Sequence, residues 1–219
     1  MLALVGSGEY LPKMESVDRT LIGRLPGPAR VACLPTAAGT EGAERIAYWD
    51  DLGVKHFSGL GAEVEALPVT DASSANDPAL AERIRRVNFV YLSGGKPDYL
   101  YHVLNGSLVW QAILAVLGEG GILAGCSAGA MVMGERLPGF PHSSPAFGLL
   151  PGTTIIPHYD EVPGWMMRGL KVFVRGGLTV YGIPAYTALV VDGKSPLEVL
   201  GRGPVAVWGK DGKRELLPE

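Results

Sequence analysis

The sequence predicts an α/β fold: a mostly parallel central sheet with helices on both faces, ending in a mixed or antiparallel C-terminal extension. Three observations carry this. Short apolar runs alternate with helix-like segments, three strand-helix units preceding the run Asn88–Leu92. Glycine-rich turns follow several of these runs, at Gly6-Ser7-Gly8, Gly94-Gly95 and Gly125 to Gly129, so that loops gather at one end of the sheet. Beyond residue 178 the pattern changes to short strands separated by Asp192-Gly193 and Asp211-Gly212, pairs suited to tight turns between antiparallel neighbours.

Leu2–Val5 reads as the first buried strand, running into Gly6, Ser7, Gly8 and Glu9. This turn lacks the full G-x-G-x-x-G pattern and any G-K-[ST], which argues against a dinucleotide or P-loop site, and Glu9 is expected to be an exposed loop carboxylate. A helix over Met14–Leu25 is stopped by Pro26, Gly27 and Pro28. Arg30–Leu34 is the second strand, and Pro35–Gly42 a loop of small residues at its carboxyl end. Glu44–Phe57 has helical spacing interrupted by Gly53; Val64–Val69 is the third strand; Asp77-Pro78 caps and opens a helix through Arg86. The fourth strand, Asn88–Leu92, is followed by Ser93-Gly94-Gly95-Lys96 and by helices over Tyr99–Leu104 and Leu108–Leu117. Leu137–Pro151 reads as a loop, Thr153–Ile156 as a strand, and residues 164–174 as a helix whose Met and aromatic stripe serves the core. Strands over Leu178–Gly182, Ala188–Val191 and Val205–Trp208 complete the chain, with no linker dividing its 219 residues into more than one domain.

Bulk properties narrow the function. A formal net charge of -3 with no block of Lys or Arg gives no electrostatic argument for nucleic acid or an anionic membrane, leaving a small molecule or short peptide as the expected partner. No apolar run approaches the roughly 20 residues that span a bilayer, and a cytoplasmic protein is expected. Cys33 and Cys126 both sit in or beside apolar runs and are expected to be buried and reduced. A homodimer is compatible with the sequence.

The chemistry centres on Gly125-Cys126-Ser127-Ala128-Gly129-Ala130. An apolar strand before it and Met131-Val132-Met133 after it give the context of a nucleophile elbow, where small flanking residues allow a strained turn that projects the Ser127 hydroxyl at the carboxyl end of the sheet. Cys126, in the x position, should turn back into the core, which weakens an amidotransferase-like reading based on its thiol. Gly94 and Gly95 could bring a backbone N–H towards the same point. His158, delivered by the strand at Thr153–Ile156, is the candidate general base; His56 and His102 lie in helices, and His142 in the 137–151 loop keeps a minor candidacy beside the substrate. His142, His158 and Asp160 match no metal-ligand spacing, so neither metal nor cofactor is expected.

These motifs together resemble peptidase family S51, the dipeptidase E and cyanophycinase group of the class I glutamine amidotransferase-like superfamily. The resemblance runs over about residues 1 to 192, through Gly6-Ser7-Gly8-Glu9, Ser93-Gly94-Gly95, the elbow and Pro157-His158-Tyr159. It implies a three-layer α/β/α sandwich and hydrolysis of peptide bonds after aspartyl residues, with Ser127 as nucleophile, His158 as base, and the N–H groups of Gly95 and Ala128 as oxyanion hole. Two departures stand out. The family's third catalytic acid would fall where this chain has His142, Ser143 and Ser144, and no Asp or Glu occurs from Arg136 to Tyr159. Glu135, Asp160, Glu9 or no acid at all remain as alternatives. Lys96 follows the double glycine where an amide or hydroxyl residue is usual; it could pair with a substrate carboxylate, as could Arg168 in the 164–174 helix, against the simpler reading of a solvated loop lysine. A non-catalytic binding module of the same fold stays open beside the hydrolase.

Overall fold

The computed structural model describes residues 1–139, 143–162, 173–174, 176–193 and 197–218. Its centre is a seven-stranded sheet. Chain order runs β1 (Leu2–Val5), α1 (Glu15–Ile22), β2 (Arg30–Leu34), α2 (Ala43–Gly59), β3 (Glu63–Ala66), α3 (Ala72–Ala75), α4 (Pro78–Arg85) and β4 (Phe89–Leu92). It continues through α5 (Pro97–Leu104), α6 (Leu108–Gly118), β5 (Ile122–Cys126) and α7 (Ala128–Met131). The five strands β1 to β5 are parallel, in the order β1-β5-β4-β2-β3.

Alternation along these strands builds two apolar layers. Leu2 and Leu4, Ala32 and Leu34, Val90 and Leu92 face one cluster that includes Leu80 and Ile84 of α4, Leu100 and Leu104 of α5, and Ile113 and Val116 of α6. Their sequence neighbours Ala3 and Val5, Val31 and Cys33, Phe89 and Tyr91 face a second cluster with Val17 and Leu21 of α1 and Phe57 of α2. Strands buried on both faces and covered by helices on each side make a three-layer α/β/α sandwich. The expected helix over Met14–Leu25 is shorter because a 3-10 turn at Pro12–Met14 precedes it and Gly23 closes it. The helix α2 runs unbroken through Gly53, where a side chain would strike Cys33. Asp77 caps α4, its side chain accepting from the Ala79 N–H at 2.8 Å.

The tail divides between two sheets. After β6 (Arg136–Leu137) and β7 (Ser144–Pro145), which pair with each other inside the stretch read as loop, come β8 (Thr153–Pro157) and β9 (Thr179–Ile183). The chain then crosses to β10 (Thr187–Val191) and β11 (Glu198–Gly201), which add antiparallel to the β1 edge of the central sheet. It returns in β12 (Val205–Gly209) and β13 (Gly212–Leu216) to complete a four-stranded mixed sheet, β13-β12-β9-β8. Neither β11 nor β13 is marked by the apolar pattern of the sequence; β13 reads GKREL and is almost wholly exposed. The 164–174 helix lies largely outside the described residues. No single helix among those described is long and apolar enough to cross a membrane.

Candidate active site

The loops after β1, β2, β4 and β5 meet at the carboxyl end of the sheet, with β5 seated between β1 and β4. Ser127 follows β5 with φ 49° and ψ -107°, a backbone conformation that non-glycine residues avoid and that the elbow imposes. The turn closes only because its flanks are glycine: a Cβ on Gly125 would lie 2.5 Å from the Gly129 carbonyl, and one on Gly129 would lie 2.3 Å from the Leu92 oxygen. The Ser127 N–H donates to the Val5 carbonyl at 3.0 Å, so the elbow is anchored to β1 as well. Its neighbours Cys126 and Ala128 are fully buried while Ser127 opens into a cleft.

Cys126 faces the other way. Its thiol donates to Oε2 of Glu9 at 2.8 Å, and burial, reinforced by the nearby carboxylate, pushes its pKa well above the ordinary thiol value. A thiol held protonated in the core does not serve as a nucleophile at neutral pH. Glu9 is therefore not the exposed loop carboxylate its sequence context predicts. It is buried, because Oε1 also accepts from the Gly94 N–H at 3.0 Å, and the two contacts fold it beneath the elbow. The Gly94 donor is occupied, whereas neither the Gly95 nor the Ala128 N–H has a hydrogen-bond acceptor among the described residues.

His158 arrives from the smaller sheet. It leaves β8 in the left-handed region at φ 38°, and its Nε2 lies 3.4 Å from Ser127 Oγ. That separation is long for a hydrogen bond. The turn is clamped on both sides: Tyr159 meets Trp208 of β12 edge-on with ring centroids 5.8 Å apart, and Asp160 Oδ1 accepts from the Ala185 N–H at 3.0 Å. The segment entering β10 packs in turn on the loop after β1, where Gly6 N donates to the Thr187 oxygen and Tyr186 N to the Ser7 oxygen, each at 3.0 Å. A Cβ on Gly6 would lie 2.0 Å from the Pro184 oxygen. This close main-chain joint brings His158 opposite Ser127.

Neither Glu135 nor Asp160 is hydrogen-bonded to the imidazole among the described residues. Glu135 accepts from the Gly152 N–H at 2.6 Å, at the start of β8, whereas His158 follows its far end, some six residues or roughly 20 Å along the strand. Asp160 is committed to Ala185. Among the described residues no carboxylate hydrogen-bonds His158, and no set of three metal-ligating side chains converges.

An open cleft of about 270 Å³ is lined by Ser127, His158, Ser7, Glu9, Gly94 and Gly95. Lys96 is not in its lining; its ammonium donates to Thr40 Oγ1 at 2.8 Å. His142 and Arg168 fall outside the described residues. Glu41, Arg45 and Trp49, which no motif marks in the sequence, line the same cleft. The available signal was position, since they stand at and just after the loop that leaves the carboxyl end of β2. A larger groove of about 400 Å³ along β12 and β13 contains none of the groups gathered at Ser127.

Comparison with known proteins finds relatives in both sequence and fold. The chain is 25% identical to a cyanophycinase of Synechococcus elongatus over 94% of its own length and 67% of that protein's. It is 23% identical to an uncharacterized peptidase of Listeria monocytogenes, covering 75% of this chain and 82% of that one. The crystal structure of a peptidase from an acI-B1 Actinobacterium superposes with a TM-score of 0.89 at 34% identity, covering 99% of this chain and 93% of that one. A putative peptidase E protein from Listeria monocytogenes shares the fold at a TM-score of 0.66 and 21% identity, over 92% and 98% of the two chains. The family model of peptidase family S51 matches residues 2–199, and the chain belongs to that family.

Proposed function

We propose that this chain is a serine-dependent hydrolase of a peptide or amide bond in a small substrate, working through Ser127 and His158. The observation that carries the reading is Ser127 Oγ on a strained elbow, 3.4 Å from His158 Nε2, in a cleft that also receives the Gly95 backbone. Family membership supports hydrolysis in general; the elbow supports the serine route.

In the first half-reaction Ser127 Oγ attacks the substrate carbonyl carbon while His158 Nε2 takes the hydroxyl proton. The N–H groups of Gly95 and Ala128 stabilise the developing oxyanion, as fixed donors that need no reorganisation. The C–N bond then breaks as His158 returns the proton to the leaving amine. Water, deprotonated by the same imidazole, attacks the acyl-enzyme and releases the acid. With Glu135 and Asp160 engaged elsewhere, the imidazole is oriented by the backbone of its clamped turn, and the reactive unit is a Ser-His pair.

A fluorophosphonate probe tests this together with hydrolysis of a panel of α- and β-aspartyl dipeptides and neutral controls. Labelling and turnover should persist in Cys126→Ala and disappear in Ser127→Ala, with turnover falling at least about a hundredfold. Labelling that survives Ser127→Ala refutes the assignment. A protein that binds dipeptides without labelling or turnover is the non-catalytic module instead.

A further inference from the structure

We infer that Tyr10 is a positioning residue of the proposed hydrolase: through Ser93 it fixes the loop after β4, so that the Gly95 N–H faces the cleft before substrate arrives. This rests on the Ser-His reading of the same site. Tyr10 Oη and Ser93 Oγ share a buried hydrogen bond of 2.9 Å. The residue before Tyr10 holds the residue after Ser93, since Glu9 Oε1 accepts from the Gly94 N–H at 3.0 Å. Two successive side chains thus grip two successive residues of one loop. Main chain holds the rest: the Ser93 N–H donates to the Leu34 carbonyl at 3.1 Å, and the Lys96 N–H to that of Ala37 at 2.9 Å. Of the four N–H groups from Ser93 to Lys96, that of Gly95 is the one with no acceptor among the described residues. Gly94 and Gly95 have no side chains of their own, so the direction of that free donor is set by what holds the residues around it.

Packing accounts for the ring of Tyr10 and not for its hydroxyl. The ring lies against Tyr91, with centroids 5.0 Å apart, and against His56 and Phe57 at 6.1 Å each. Phenylalanine would fill the same space without bringing a hydroxyl into the core, where it is costly unless hydrogen-bonded. Burial pushes the phenol well above its ordinary value, so the hydroxyl keeps its proton at neutral pH. The backbone of Tyr10 is left-handed, φ 62°, a conformation that glycine adopts freely and an aromatic residue does not. In an extended chain Glu9 and Tyr10 would point to opposite faces; the curl at Tyr10 brings both to the same loop.

The test compares Tyr10→Phe with Tyr91→Phe. Both remove a buried hydroxyl from one aromatic cluster, but that of Tyr91 has no hydrogen-bond partner among the described residues, so its loss leaves the loop alone. Hydrogen exchange of the Gly94 and Lys96 amides reads the loop. Fluorophosphonate labelling of Ser127 reads the oxyanion donors: Oγ attacks phosphorus, fluoride leaves, His158 takes the hydroxyl proton and the phosphoryl oxygen occupies the oxyanion position. Tyr10→Phe should speed exchange about fivefold, the scale of one net hydrogen bond, and lower the maximal labelling rate about fivefold. The half-saturating probe concentration should move less than about twofold, because the donor acts on the transition state. Tyr91→Phe should change every quantity by less than about twofold. Ser93→Ala cuts the same bond from its other side, and the double variant with Tyr10→Phe should match the stronger single one. Unchanged exchange in Tyr10→Phe overturns the tie, and faster exchange with undiminished labelling overturns its bearing on the oxyanion. Equal effects of the two phenylalanine variants, or additive effects in the double variant, overturn it too. Labelling that survives Ser127→Ala sinks the hydrolase instead, and exchange alone then decides whether Tyr10 holds the loop.

Discussion

Replacing Glu9 separates a carboxylate that shapes the site from one that merely fills space. In Glu9→Ala the Gly94 N–H, 3.0 Å from Oε1, and the Cys126 thiol, 2.8 Å from Oε2, both lose their acceptor inside the fold. A buried N–H left unpaired costs about 1–3 kcal/mol, and the weaker thiol adds a fraction of that. Relief of the desolvation borne by a buried carboxylate opposes both, so the expected net loss is about 2 kcal/mol. Glu9→Gln keeps an amide oxygen for Gly94 and should lose under about 1 kcal/mol. Urea unfolding reads both from the shift in midpoint at constant slope. Because Gly94 leads directly into Gly95, the rate of fluorophosphonate labelling at Ser127 should fall about tenfold in the alanine variant and recover largely with glutamine. Equal stability and equal labelling in the alanine and glutamine variants would refute the reasoning, since glutamine keeps an acceptor for Gly94 and alanine keeps none.

Asp50 gives a pH signature. Burial, with Asp51 adding repulsion, raises its carboxyl from 3.8 to about 6, and its Oδ1 is buried without a hydrogen-bond partner. The folded state therefore holds a proton that the unfolded state has released, and stability should decline as pH rises from about 4 to 6. The shift taken at face value is about 3 kcal/mol, and solvent screening of a partly open carboxylate reduces it to about 1 kcal/mol. Asp50→Asn should abolish that slope and raise the urea midpoint at pH 7; a slope that persists in the variant excludes this origin. Gly6→Ala puts a methyl 2.0 Å from the Pro184 oxygen and 2.6 Å from that of Ile183, both main chain, and should destabilise by at least about 2 kcal/mol while suppressing Ser127 labelling further than the folded fraction explains. Gly27→Ala, with nothing within 4 Å, is the matched control, and equal behaviour of the two would refute the joint.

The parallel strands β1, β2, β4 and β5 could be read from the sequence because each is an apolar run bounded by a turn, and the elbow because its small residues are crowded by main chain of its own turn and of the neighbouring strand β4. Ser127 and His158 were visible for the same local reason: each ends a recognisable strand. What connects them was not. Glu9 owes its burial to partners 85 and 117 positions away, which no local pattern encodes. Glu135 looked able to reach back to the imidazole until the Gly152 N–H, at the wrong end of β8, proved to be its partner. The strand β13 carries Lys, Arg and Glu in succession and is set by pairing with β12, so alternation could not reveal it. Arg45 belongs to no motif in the sequence, and only the fold shows that the first turn of α2 borders the cleft.

The division of the reactive pair between two sheets also orders events in time. By residue 150 a growing chain contains the elbow, both glycine loops and all five parallel strands, but no imidazole opposite the hydroxyl. His158 is held in place by β8, which pairs with β9, beside the segment from Pro184 to Thr187 that packs on Gly6 and Ser7, all of it beyond residue 150 apart from that first loop. The proposed nucleophile is thus inert through the first two thirds of synthesis, and it acquires its base when the last strand beside β1 is laid down.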